Sequence, residues 1–347
     1  MVLSGALDLI GLDHRDGTAG CRPPVGVRAA GTGTRARKPP INTVSERSPS
    51  TLDRMDTDEK PTPRREVHDA RNKDSLPGTL VRSEGDDAVG DELVNGVYDA
   101  LGTTFEFFRD AYGRNSLDGE GGPLRATVHY REKFPNMFWD GRRFVLGDGD
   151  GEIFRLRPNE ILDIVAAGMT RQIMNPQLLY AFQSGALSES VADVFASLVK
   201  QYALGQTADQ ADWLLGIGII APSVKAKALR SLAAPGTAYD DPNLGKDPQK
   251  AHTDDYHDMP IHKDNGGVHI NSGIPNRAFH LTATAIGGNA WEKAGRIWYD
   301  AATGGKLSEE ATFADFAKLT VATAEELYGT GGALDAVNDA WRTVGVL

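Results

Sequence analysis

Residues 158–171 read PNEILDIVAAGMTR, and the chain changes character across them. Pro158 stands where a first-turn proline is tolerated. Ile161, Leu162, Val165 and Met169 recur at helical spacing and mark one apolar face. Upstream lie short strand-like runs separated by Gly and Asp turns: ATVHY (126–130), NMFWDG (136–141) and RFVLGDGDG (143–151). Before them LPGTLVRSEG reads as a strand and turn, and Asp91–Tyr112 carries Val94, Val97, Tyr98, Leu101, Phe105 and Phe108 at helical spacing. Downstream the patterning is helical over Glu189–Tyr202, Ala208–Leu215, Arg277–Ala285, Trp291–Ala302, Phe313–Tyr328 and Leu334–Thr343. Asn175-Pro176 ends the helix begun near Pro158, because the residue before proline is pushed out of the α region. The class is therefore α+β: a β-rich lobe followed by an α-helical lobe, with a cleft between them.

The composition narrows function. Of 347 residues 40% are hydrophobic, enough for a core, and the formal charge of −11 argues against nucleic acid as a partner. The single cysteine, Cys21, excludes an internal disulfide framework and a cysteine-cluster zinc site. No run of about 18 apolar residues exists, so no membrane span is expected. The opening MVLSGALDLIGLDH is interrupted by Asp8 and Asp13. A standard signal peptide is not expected, which points to the cytoplasm or to non-classical secretion. Residues 1–75, rich in Arg, Pro, Gly, Ser and Asp, are expected to be disordered or a pro-segment. The β-rich lobe is expected over 76–158 and the α-helical lobe over 159–347. His252, His257 and His262 lie at five-residue spacing in a Pro-containing stretch, which does not set them on one face. GDGDG (147–151) reads as a tight turn. No G-x-S-x-G or Walker A motif is present.

NMFWDG, GDGDG, SGALSESVADVF, DNGGVHINSGIPN and GGNAWEKAGRIWYDA, in this order, resemble blocks of the thermolysin family of zinc endopeptidases, in its protealysin-like branch. The resemblance runs from about Leu76 to the C-terminus and implies a thermolysin-like fold. In that family H-E-x-x-H sets two histidines on one helix face for Zn²⁺, and the glutamate takes a proton from the metal-bound water. The resemblance places Glu189 at the third zinc ligand and Asp193 at the carboxylate that orients a zinc-bound histidine. His269 falls at the transition-state histidine, Asp264 at its orienting carboxylate and Tyr180 at the assisting tyrosine. Asn136 and Met137 correspond to the edge strand that binds an extended peptide, and Arg230 to the arginine that grips the substrate backbone.

The centre of the motif departs from that pattern. Ala167 and Arg171 stand at the two histidine positions and Gly168 at the glutamate position. Alanine cannot ligate a metal, glycine cannot act as a base, and arginine is a permanent cation. An Arg171–Glu189 ion pair is the expected replacement for zinc, since a guanidinium fork complements a carboxylate. The segment between LDIVAAGMTR and SGALSE (172–183) is two residues shorter than the family pattern, with QIMNPQ in place of the continuation of the active-site helix. The double calcium site is expected to be absent: Asp163 and Asp212 remain, but Lys200, Leu214 and Ile217 stand where other acidic ligands would be. Three readings follow. One is a pseudoprotease that retains a groove for a peptide or protein. Another is an active neutral zinc endopeptidase cleaving before large hydrophobic residues, with ligands supplied from elsewhere. The last is a sequence with no selected function.

Overall fold

Five strands and one long helix make the first lobe of the computed structural model, which describes residues 60–174 and 178–347. The expected helix stop at Asn175-Pro176, Cys21 and residues 1–59 lie outside the described residues. The strands are β1 (Arg65–Asp69), β2 (Thr79–Ser83), β3 (Leu124–Val128), β4 (Met137–Trp139) and β5 (Phe144–Leu146), in the sheet order β2-β1-β3-β5-β4. β1–β3 and β3–β5 are parallel, whereas β1–β2 and β4–β5 are antiparallel. β4 is thus an edge strand.

One boundary needs correcting. β1 lies inside the stretch expected to be loosely attached, yet it pairs with two strands and buries Val67 completely. REVHD offers a single apolar residue among charges, so the backbone ladder places this strand without an apolar pattern to announce it.

Helix α1 (Glu92–Tyr112) follows from its capping chemistry. Asp91 accepts from the Leu93 and Val94 amides at the N-terminus, and Gly113 closes the other end in the left-handed region. Its apolar stripe, including Val97, Leu101, Phe105 and Phe108, is buried.

The second lobe is built on α2 (Leu162–Met174) and α3 (Phe182–Leu204), which pack along one another. Pro158–Glu160 forms a short 3-10 turn ahead of α2. α3 is longer than the apolar period indicated and is buried on almost every side, which is why its sequence shows weak amphipathicity. The helix expected over Ala208–Leu215 does not form. Instead Leu214–Leu215 is strand β6, paired with β7 (Arg230–Ser231). Thr207 and Asp212 spend their side chains on local bonds, Thr207 Oγ1 to Asp209 and Asp212 Oδ1 from the Leu214 amide, and Trp213 is left-handed. Such side-chain bonds compete with helix formation. A small hairpin, β8 (Asp240–Asp241) and β9 (Gly245–Lys246), follows.

Five helices complete the lobe: α4 (Asp264–Asn271), α5 (Gly273–Ile286), α6 (Ala294–Thr303), α7 (Phe313–Tyr328) and α8 (Gly332–Thr343). Trp298 of α6 and Trp341 of α8 stack at 6.0 Å between centroids, and both are fully buried. The two lobes share one continuous apolar core, and Phe154 and Ile220 form a β-bridge between them. Among the described residues no helix is long and apolar enough to cross a membrane.

Candidate functional site

The sequence puts two carboxylates one turn apart on α3, Glu189 and Asp193. Both are buried, at 0% and 1% exposure. A buried carboxylate demands partners, and each receives its own set.

Around Glu189, Arg171 of α2 brings Nη2 to 2.7 Å from Oε2 and 2.6 Å from Oε1. The Tyr180 hydroxyl donates to Oε1. His269 of α4 lies with Nε2 3.3 Å from the Tyr180 hydroxyl and 3.7 Å from Glu189 Oε2. Its other ring nitrogen, Nδ1, is held by Asp264 Oδ1, and Asp264 Oδ2 accepts from the His269 amide at 3.0 Å. Burial pushes the Glu189 carboxyl up, but the charges of Arg171, His269 and Arg230 outweigh it and pull it down to about 2. The same attraction overcomes the burial of Arg171 and raises its guanidinium further. Burial first, and then the neighbouring Glu189 charge, lifts the Tyr180 phenol well above its ordinary value.

Around Asp193, Arg230 Nη1 donates to Oδ1 at 2.9 Å and Asn276 Nδ2 to Oδ2 at 2.9 Å. Burial raises the Asp193 carboxyl despite Arg230. Arg230, expected to grip substrate, is itself 5% exposed and engaged with this carboxylate. Asn276 escaped the sequence reading. It lies within DNGGVHINSGIPN, but an asparagine in a small-residue run gives no sign of which carboxylate it will meet.

Local backbone sets these groups in place. Asp264, Asn265, Gly266 and Gly267 all have φ between 47° and 86°, a left-handed turn that returns Asp264 onto His269 five residues later. Asn, Asp and Gly tolerate that region best. At Gly266 a Cβ would lie 2.4 Å from the Phe182 ring, so the turn also needs the missing side chain.

One turn before Arg171 on the same face of α2, Ala167 is 2% exposed, and the adjoining face at Gly168 is apolar and tight. A Cβ at Gly168 would meet Met137 Cε at 2.9 Å and Phe144 Cε1 at 3.0 Å, so α2 rests directly on β4 and β5. Met137 is buried, while Asn136 is half-buried and uses Oδ1 to accept from the Met137 amide.

These donors do not fit zinc. A catalytic zinc site needs three protein ligands and an open position. Here one carboxylate is available, both of its oxygens are occupied, and a guanidinium stands beside it. Calcium fares no better at the other end of α2 and α3. Lys200 Nζ contacts Asp212 Oδ1 and Oδ2 at 2.9 and 2.8 Å and the Leu214 carbonyl at 3.1 Å. Asp163 accepts from the Gly216 amide at 2.7 Å, and burial holds its carboxyl at about 6. An ammonium already sits among these oxygens, where Ca²⁺ would need six to eight. Among the described residues no group of three or more His, Cys, Asp or Glu is arranged to hold a metal ion. His252 turns its Nδ1 onto the Asp254 amide.

Two family models match the chain: the catalytic domain of thermolysin metallopeptidases over residues 28–175 and their alpha-helical domain over 176–346. Their seam falls inside the expected second lobe, after α2. An extracellular metalloprotease of Pectobacterium carotovorum is 50% identical over 284 residues, covering 81% of either chain. Protease PrtS of a Photorhabdus species is 47% identical, covering 81% of this chain and 76% of its own. Among solved structures, the precursor of protealysin, a metalloproteinase from Serratia proteamaculans, is similar with a TM-score of 0.80 and 49% identity, over 86% of this chain and 92% of that one.

Proposed function

This chain belongs to the thermolysin metallopeptidase family, and from that premise we propose that it is a pseudoprotease: it binds an extended peptide or protein segment without hydrolysing it. The observation that carries this reading is the Arg171–Glu189 ion pair at 2.6–2.7 Å. In an active relative the third zinc ligand must be open to the metal. Here Glu189 is charge-neutralised by an arginine whose charge cannot be removed at accessible pH. Ala167 and Gly168 complete the loss, because neither can ligate a metal or accept a proton. No step through zinc is therefore assigned to this chain.

The peptide-facing parts retain their chemistry. β4 is the outermost strand of the sheet, and its edge can add an extended peptide by backbone hydrogen bonding. Asn136 and Met137 begin that edge. His269, Tyr180 and Arg171 line the position that the scissile carbonyl would occupy. The Tyr180 proton is already on Glu189, so it is the guanidinium of Arg171, with N–H groups beyond those on Glu189, that can donate to a carbonyl oxygen in a bound segment. Arg230 contributes by holding Asp193 and thereby fixing α3 against β7.

A working zinc endopeptidase is the second reading, and the intact His269–Asp264–Tyr180 arrangement favours it. The two separate in one titration. A fluorescent peptide with a central leucine or phenylalanine is incubated with the protein, and binding by anisotropy and cleavage by mass spectrometry are read from the same sample. The pseudoprotease reading expects binding with the peptide intact. Chelator-sensitive cleavage overturns it, and absence of binding removes the groove.

A further inference from the structure

ATVHY and GDGDG meet at a point the site above does not use. His129 follows β3 with φ at 54°, a left-handed conformation that is uncommon for a residue with a side chain. Its backbone is pinned on both sides. The His129 carbonyl accepts from the Asn72 amide at 2.8 Å, and the next amide, Tyr130, donates to the Leu146 carbonyl at 2.9 Å. The imidazole therefore projects in a fixed direction, and both of its nitrogens meet carboxylates. Nδ1 is 2.7 Å from Asp148 Oδ1, and Nε2 is 2.9 Å from Asp91 Oδ2.

Each carboxylate anchors something else. Asp91 caps α1, its other oxygen accepting from the Leu93 and Val94 amides. Asp148 sits in the turn after β5, and that turn is bonded by its backbone to the approach to β4. Gly147 donates to the Asn136 carbonyl and Gly149 to the Phe134 carbonyl, both at 3.1 Å. The contact is close, since a Cβ at Gly147 would lie 2.1 Å from the Phe134 carbonyl oxygen. One imidazole thus ties the N-terminus of α1, the end of β3 and the turn that holds Asn136.

A neutral imidazole carries one N–H and one lone pair. Placed between two carboxylates, it satisfies one and turns a lone pair on the other. Only the imidazolium donates to both. We propose that His129 is a positioning residue for the peptide-binding edge: as an imidazolium bridging Asp91 and Asp148 it holds the 147–149 turn, and through it Asn136 and the start of β4. The assignment of β4 as peptide-binding rests on the function proposed above, but the bridge itself does not. The charged groups facing His129 are Asp91 from the α1 cap and Asp148 from the turn. Their attraction outweighs burial and raises the imidazole to about 9. The sign follows directly. The bridge is complete below the ordinary histidine range and is lost as pH rises through about 9.

Hydrogen exchange tests this on the whole chain. Protection factors for the Gly147 and Gly149 amides, corrected for intrinsic exchange, are measured between pH 7 and 10, with core amides of α5 as a control. The expected result is a fall of about tenfold or more centred near pH 9 while α5 stays protected. In Asp148→Asn the amide oxygen still accepts from Nδ1–H but the charge is gone, so the midpoint moves down by about one unit or more. In His129→Gln protection is low and independent of pH. A flat profile in the native chain, or an unchanged midpoint in Asp148→Asn, overturns the proposal. Peptide affinity measured over the same range should follow the same midpoint. If no peptide binds at any pH while the amides respond as described, the groove reading fails and the positioning role of His129 stands.

Discussion

Helices α2 and α3 lie side by side, yet they bring opposite charges to their shared surface. α3 contributes carboxylates, Glu189 and Asp193, sunk in the core. α2 contributes Arg171, one turn after the buried Ala167, while its Gly168 faces away onto β4 and β5. A similar pairing closes their other end, where Lys200 of α3 covers Asp212 beside the buried Asp163 of α2. In both places a side-chain cation stands against a carboxylate, at positions that the resemblance to this zinc- and calcium-using family would give to a metal. The comparison teaches that a metalloenzyme scaffold can keep its buried acids if a cation is supplied from within the chain, and that burial decides how much that cation matters.

The largest effect should come from breaking the buried pair. Arg171→Leu leaves Glu189 charged, fully buried and short of its main partner. It should cost about 3–5 kcal/mol in urea unfolding. A loss below about 1 kcal/mol would show that the pair is not what holds these helices together. Replacing both residues by Leu and Met should recover much of that loss, because the uncompensated charge disappears along with the pair.

Acid is a gentler way to break the same contact. The Glu189 carboxyl is depressed from 4.5 to about 2, so its contribution is present above pH 4.5 and is lost as pH falls toward 2. Stability measured by thermal melts should decline across that window in the native chain, and less steeply in the double variant.

Gly168 sharpens the view of the α2 face. Alanine there improves helix propensity by about 1 kcal/mol, but its Cβ would press on Met137 and Phe144 at 2.9–3.0 Å. Overpacking costs about 1–3 kcal/mol, so Gly168→Ala should be net destabilising by about 1 kcal/mol in urea. A stabilised variant would mean that α2 and β4 have room to separate.

Lys200 should matter least. It is 18% exposed and its partner Asp212 is 42% exposed. Lys200→Met should therefore change stability by less than about 1 kcal/mol. Calcium and chelator should leave the melting temperature of the native chain unchanged, and a clear rise with calcium would contradict the lysine's role as resident cation.

Much of this was legible in the sequence because it is written in residue types. The family resemblance sets Arg171 and Glu189 at neighbouring ligand positions, and charge complementarity then pairs them. The same resemblance sets Asp264 beside His269, although the left-handed turn that delivers it is seen only in the fold. Helix α1 announces itself through Asp91 and its apolar stripe. Other features depend on contacts between distant segments. β1 is held by two ladders rather than by apolar residues. The region around Asp212 prefers local bonds to the helix its pattern suggested. Asn276 reaches Asp193 across 83 positions, and His129 bridges carboxylates 38 and 19 positions away. Nothing in the spacing of those residues foretells their meeting.

The claim at the centre of this account is that a guanidinium has replaced a metal. Elemental analysis of the purified chain, after incubation with excess zinc and removal of unbound metal, measures it most directly when peptide hydrolysis is followed on the same preparation. The account predicts far less than one zinc per chain and no chelator-sensitive cleavage. One zinc per chain together with cleavage that a chelator abolishes would contradict it.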